Sequence, residues 1–186
     1  TLTYIEPAGE TTGEVIGSLT TTGLHAPVLD IDLQARAVSI KRGRTFVHIT
    51  CARPSEERIR QLYEALVACK LLAPARLRRR IEQAMQRKNA QSIVLPLELS
   101  SDRVRLVPSR TQGHFHLFLD HEMPWWDFRE LLIALQGVGV IDEKFCSMCI
   151  RSEQSFVRNS AYVAQPQQTS RFARIPVKQQ PASLRA

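Results

Sequence analysis

Residues 38–72 and 104–138 follow one plan: a strand, a basic turn, a second strand carrying histidine, a proline, and an amphipathic helix. Arg44-Thr45 in the first stretch resembles Arg110-Thr111 in the second. Ile59, Leu62 and Leu66 fall where Phe128, Leu131 and Leu135 fall, once a gap is allowed between strand and helix. A helix with a single apolar stripe must bury it, and two such helices beside paired strands do so on one face of a sheet. The echo therefore predicts an α+β fold. It has an antiparallel or mixed sheet, two amphipathic helices from a β-β-α duplication, and a basic helix between them. Amphipathic units of this kind also resemble one another without duplication.

Local patterns place the elements. Phe115, Leu117 and Leu119 alternate with His114, His116, Phe118 and Asp120, so the apolar set enters one layer and both histidines face the other. Val28-Leu29-Asp30-Ile31-Asp32-Leu33 reads as a buried strand with two aspartates. Residues 37–40 and 45–51 read as a hairpin around Lys41-Arg42-Gly43-Arg44. Ser55 caps a helix that runs toward Leu72, with Glu56 and Glu57 at its positive end. Residues 75–88 form the basic helix, residues 92–99 and 103–107 two strands, and Pro124 opens the last helix, with Trp125 in its core stripe. Residues 154–158 read as a final strand.

Residues 27–163 are expected to form a single domain. Residues 1–26 read as a flexible leader or arm, to which Tyr4-Ile5 and Val15-Ile16 add a short strand or hairpin. Residues 164–186 are rich in Gln, Pro and Arg without an acidic residue, and read as a disordered basic tail.

The chain carries a net charge of +7, which favours acidic partners, nucleic acid first among them. No apolar run reaches the ~20 residues of a membrane span. No charged start followed by an apolar run resembles a signal peptide, so a cytoplasmic protein with reduced thiols is expected. Alternatively, the charge serves solubility alone.

Three groups of residues carry candidate chemistry. Asp30 and Asp32 are two apart on a strand, so both carboxylates point to one side, where a divalent cation, Mg²⁺ or Mn²⁺, relieves their repulsion and bridges phosphates. The loop and strand of Ser109, Arg110, Gly113, His114 and His116 form a phosphate or nucleotide site. Arg42, Arg44, Arg76, Arg78, Arg79 and Arg80 form a nucleic-acid-binding face, because the basic helix has only Glu82 to balance it. Zinc held by Cys146 and Cys149 with His114 and His116 is a weaker alternative, since one Cys-x-x-Cys lacks a second pair.

The Asp-x-Asp strand at Asp30 and Asp32, followed by Ser109, Gly113 and His116, resembles the archaeo-eukaryotic primase superfamily. That resemblance implies metal on the aspartates and an incoming nucleotide on the Ser-Gly-His element. The segment from Val107 to Asp120, with the following Pro-Trp and helix, is similar to small uncharacterised proteins of actinobacteria and their phages. His48-Ile49-Thr50 looks like half of a two-histidine phosphoesterase, with His116 as the second histidine. The leading expectation is thus a phage-type protein that binds nucleic acid or nucleotide through a primase-like metal site. The alternatives are a phosphodiesterase using His48 and His116, and a non-catalytic adaptor or inhibitor that holds a host or phage protein through its tails.

Overall fold

A computed structural model of the chain describes residues 15–33, 35–40, 43–52, 54–87, 91–109, 113–158 and 173–175. In chain order the elements are β1 (Val15–Gly17), β2 (Val28–Ile31), β3 (Ala35–Ile40), β4 (Arg44–Thr50) and α1 (Glu56–Ala68). They continue with α2 (Leu77–Gln86), β5 (Ser92–Leu97), β6 (Val104–Pro108), β7 (Phe115–Leu119) and α3 (Trp125–Gly137). The last are α4 (Glu143–Ser152), β8 (Phe156–Arg158) and β9 (Ala173–Ile175). Among the described residues every strand pair is antiparallel, so the fold is α+β with antiparallel sheets.

The two β-β-α units are both present. The hairpin β3-β4 is extended by β5, and the hairpin β6-β7 is extended by β2, giving sheets of order β3-β4-β5 and β2-β7-β6. The edge strands β3 and β6 touch, and α1 packs on α3. Val47 and Ile49 of β4, Ile93 and Leu95 of β5, Leu29 and Ile31 of β2, and Leu117 and Leu119 of β7 join the two helices in one core. Full burial of a side chain of this size contributes about 1.5–3 kcal/mol. Period two then commits the alternate residues of both sheets to the face turned away from the helices.

Helix boundaries follow local chemistry. Ser55 Oγ accepts the Arg58 amide at 3.3 Å and starts α1. Lys70, at φ 58°, turns the chain out of that helix, so Leu71 and Leu72 drop into the core instead of continuing it. Tyr63 of α1 donates its hydroxyl to the Val94 carbonyl at 2.9 Å, fastening helix to sheet. Pro124 occupies the cap of α3; Trp125 packs against the core and Trp126 is 69% exposed.

Three features depart from the sequence reading. A fourth helix, α4, runs through Cys146 and Cys149. Asp142 caps it by accepting the Phe145 amide, and Phe145, Cys146 and Cys149 bury one face. The leader is not wholly outside the fold. Residues 15–17 form β1, and His25 bridges both Leu19 and Met123, with Ser18, Thr20 and Ala26 buried. The tail contributes β9, which pairs with β1 opposite β8 in a third small sheet. Residues 1–14 and 176–186 lie outside the described residues, with the arm and tail roles assigned to them. Among the described residues, no helix is long and apolar enough to cross a membrane.

Candidate functional site

Strands β2 and β7 pair so that Asp30 stands opposite His116, and Ile31 opposite Phe115. One residue further, the same register sets Asp32 against His114. Two carboxylates spaced by two on one strand thus meet two imidazoles spaced by two on its neighbour, all on the face away from α1 and α3. His114 Nδ1 lies 2.6 Å from Asp32 Oδ1, and His116 Nε2 lies 3.6 Å from Asp30 Oδ1. The outer pair is reachable, since His114 and Asp32 each expose 34% of the side chain. His116 exposes 6% and forms the sealed floor of the corner.

Burial sets the electrostatics. Burial, the repulsion of Asp32 and, more weakly, Asp142 push Asp30 up to about 6, against the attraction of His114. Burial and the charge of His114 push His116 down to about 4. The contact between Asp30 and His116 meets a distance criterion for an ion pair, but near neutral pH it joins a carboxylate to a neutral imidazole. We therefore read it as a polar contact and not as a salt bridge. Asp30 Oδ1 is buried and accepts no hydrogen bond. A buried carboxylate oxygen without a donor is costly, and a cation satisfies it.

Asp30, Asp32 and His114 each offer one ligand atom, and these atoms all lie within 4.8 Å of one another. Among the described residues this is the one group of three or more His, Cys, Asp or Glu side chains so placed. Two carboxylates and an imidazole suit Mn²⁺ better than Mg²⁺, which prefers oxygen alone. Cys146 and Cys149 are not members; both are buried, unbridged, and held high in pKa by burial first.

Ser109 and Gly113 flank the turn between β6 and β7. The Ser109 amide donates to the His114 carbonyl at 2.8 Å, and Gly113 adopts φ 85°, which favours glycine. Gly113 directly precedes His114 of the metal-ligating group. Arg110 lies outside the described residues, as does Arg42. His114, read as a phosphate contact from sequence, stands instead with the two aspartates.

The remaining candidates lie elsewhere. His48 is on β4, opposite Val94 of β5, and β3 and β6 separate its strand from that of His116. The position two beyond His116 is Phe118, which is buried with Arg105 5.1 Å from its ring centroid. No second His-x-Thr element forms there. Arg76 pairs with Glu98, and Arg78 pairs with Glu82 at 2.9 Å. Arg44, Arg79 and Arg80 pair with no carboxylate among the described residues. Sequence reasoning missed Asp142, whose charge bears on Asp30. Its signal was an Asp followed by Glu143 ahead of Phe145 and Cys146, an ordinary helix start. Comparison with protein-family models, curated proteins and solved structures finds no match to this chain.

Proposed function

We propose that the protein binds a divalent cation on Asp30, Asp32 and His114 and, through it, the phosphate of a nucleotide or nucleic acid. The observation that carries this reading is the unsatisfied, buried Oδ1 of Asp30 within a group of three convergent ligand atoms. A bound cation supplies charge neutralisation for phosphate oxygens. Asp30 and Asp32 hold that cation with fixed orientation because both leave one strand edge on the same side. His116 excludes water beneath Asp30, since it is nearly sealed and neutral. Ser109 and Gly113 are the groups we assign to that phosphate, because the Ser109 amide bonds the His114 carbonyl and Gly113 directly precedes His114. This arrangement is consistent with the primase-like resemblance and assigns no bond-making step.

Thermal unfolding with Mn²⁺ tests the proposal. Millimolar Mn²⁺ raises the melting temperature, a nucleoside triphosphate adds a further rise only when Mn²⁺ is present, and Asp32→Asn removes both. A melting temperature indifferent to Mn²⁺ and Mg²⁺ sinks it.

A further inference from the structure

Sheet β3-β4-β5 carries a second cluster, on the face away from the core helices. Arg44, Phe46 and His48 alternate along β4, while Val47 and Ile49 between them enter the core. Helix α2 lies beside this row. The Arg80 guanidinium sits 4.8 Å from the Phe46 ring centroid and donates to Gln83 at 3.1 Å. Arg87 caps the same helix two turns further on, roughly 10 Å along its axis. Burial first, and then the charges of Arg44, Arg76 and Arg79, draw Arg80 below the ordinary arginine range. Burial and then Arg87 lower His48. Arg80 on Phe46, with Arg79 beside it on the helix and Arg44 two residues before Phe46, marks one end of the row; Arg87 lines a hollow with Val94, the partner of His48, at the other. None of these four arginines has a carboxylate partner among the described residues.

Like charges held together by a rigid sheet and helix repel, and the repulsion persists unless an anion answers it. Arg80 is fixed by packing on Phe46, so part of its side-chain entropy is already lost before any ligand arrives. The spread along β4 exceeds a single phosphate, and guanidinium forks suit phosphate oxygens. We propose that Arg44, Arg79, Arg80 and Arg87, with His48 between them, form a track for the phosphate backbone of a nucleic-acid strand. The track is separate from the Asp30 corner. It goes beyond the metal–phosphate reading, narrowing the ligand to a polynucleotide, and it stands on its own residues.

Fluorescence anisotropy with a labelled 20-nucleotide deoxythymidine strand, at two salt concentrations, tests the track. Arg44→Gln with Arg87→Gln weakens binding by about tenfold and makes the logarithmic salt dependence shallower by about 1.4 to 2. Arg44→Lys with Arg87→Lys recovers most of the affinity. Arg60→Gln with Arg151→Gln removes the same net charge from exposed helix positions elsewhere and changes affinity less than threefold, on the order expected of distant charge. Unchanged unfolding profiles establish that each pair folds. Equal losses in the two glutamine pairs overturn the track, as does failure of the wild type to bind the strand. The Mn²⁺ shift in melting temperature separates the two ideas. A shift without arginine-dependent strand binding removes the track alone, and arginine-dependent binding without a shift removes the metal reading alone.

Discussion

Asp30 Oδ1 and His116 Nε2 face each other at 3.6 Å across the β2-β7 pair, and their protonation responds to pH in opposite senses. The carboxyl is raised to about 6, so the folded state binds its proton more readily than the unfolded chain; its contribution to stability is present below the unfolded value of 3.8 and lost as pH rises through 6. The imidazole is lowered to about 4, so its contribution is present above 6.5 and lost as pH falls through 4. Between pH 4 and 6 the two slopes oppose. Urea unfolding across that range should show a flatter pH dependence for the wild type than for Asp30→Asn, whose stability falls as acid charges His116. A variant curve parallel to that of the wild type contradicts this account.

Asp30→Asn should also separate stability from cation binding. Without a cation the amide removes a buried charge that both burial and Asp32 disfavour, so the melting temperature holds or rises by a few degrees. With Mn²⁺ the variant gains nothing while the wild type climbs. Loss of stability in the cation-free variant refutes the repulsion described at this corner.

The histidine-bearing strand, the Asp-x-Asp strand and the paired β-β-α units were legible because each rests on a local period. Alternation put Phe115, Leu117 and Leu119 in the core, and the spacing of two kept each acidic or imidazole pair on one side. Which carboxylate meets which imidazole was not legible. That depends on the register between strands 82 residues apart, which nothing local encodes, and it made His114 a partner of Asp32. Arg76 looked free because its partner, Glu98, is 22 residues away on a different element. Helix α4 was not legible because its ten residues bury only Phe145, Cys146 and Cys149, too few for a clear period; both cysteines are buried and unbridged.

Phe128 joins the two repeated units. It is fully buried on α3, the helix that packs on α1, and its ring lies 5.9 Å from those of both Trp125 and His25. Phe128→Ala should destabilise the protein by about 3–5 kcal/mol, since the cavity opens where two helices and the residue 15–26 segment meet. Calorimetry or urea unfolding measures it, and a loss below about 1 kcal/mol contradicts the central placement.

His25 ties that N-terminal segment to the domain, and its chemistry makes the tie acid-sensitive. Its backbone exchanges hydrogen bonds with Met123 at 2.8 and 2.9 Å, while the ring meets the Ser18 hydroxyl at 3.2 Å and stands 5.2 Å from Trp125. Ser18 Oγ in turn accepts the Ser155 amide at 2.9 Å, so the histidine is joined through one hydroxyl to the start of β8. Burial lowers the pKa of His25, with Glu153 opposing from nearby. The neutral ring therefore contributes stability above its ordinary value of 6.5, and that contribution declines as pH falls below it. His25→Leu should cost about 1 kcal/mol at pH 7.5 through the lost Ser18 contact. The variant should lose less stability than the wild type between pH 7.5 and 5, because proton uptake at position 25 is removed while every other group responds alike in both. Limited proteolysis reads the same event locally: cleavage within residues 15–26 should accelerate at pH 5 in the wild type more than in the variant. Equal acceleration in both places the acid response outside His25.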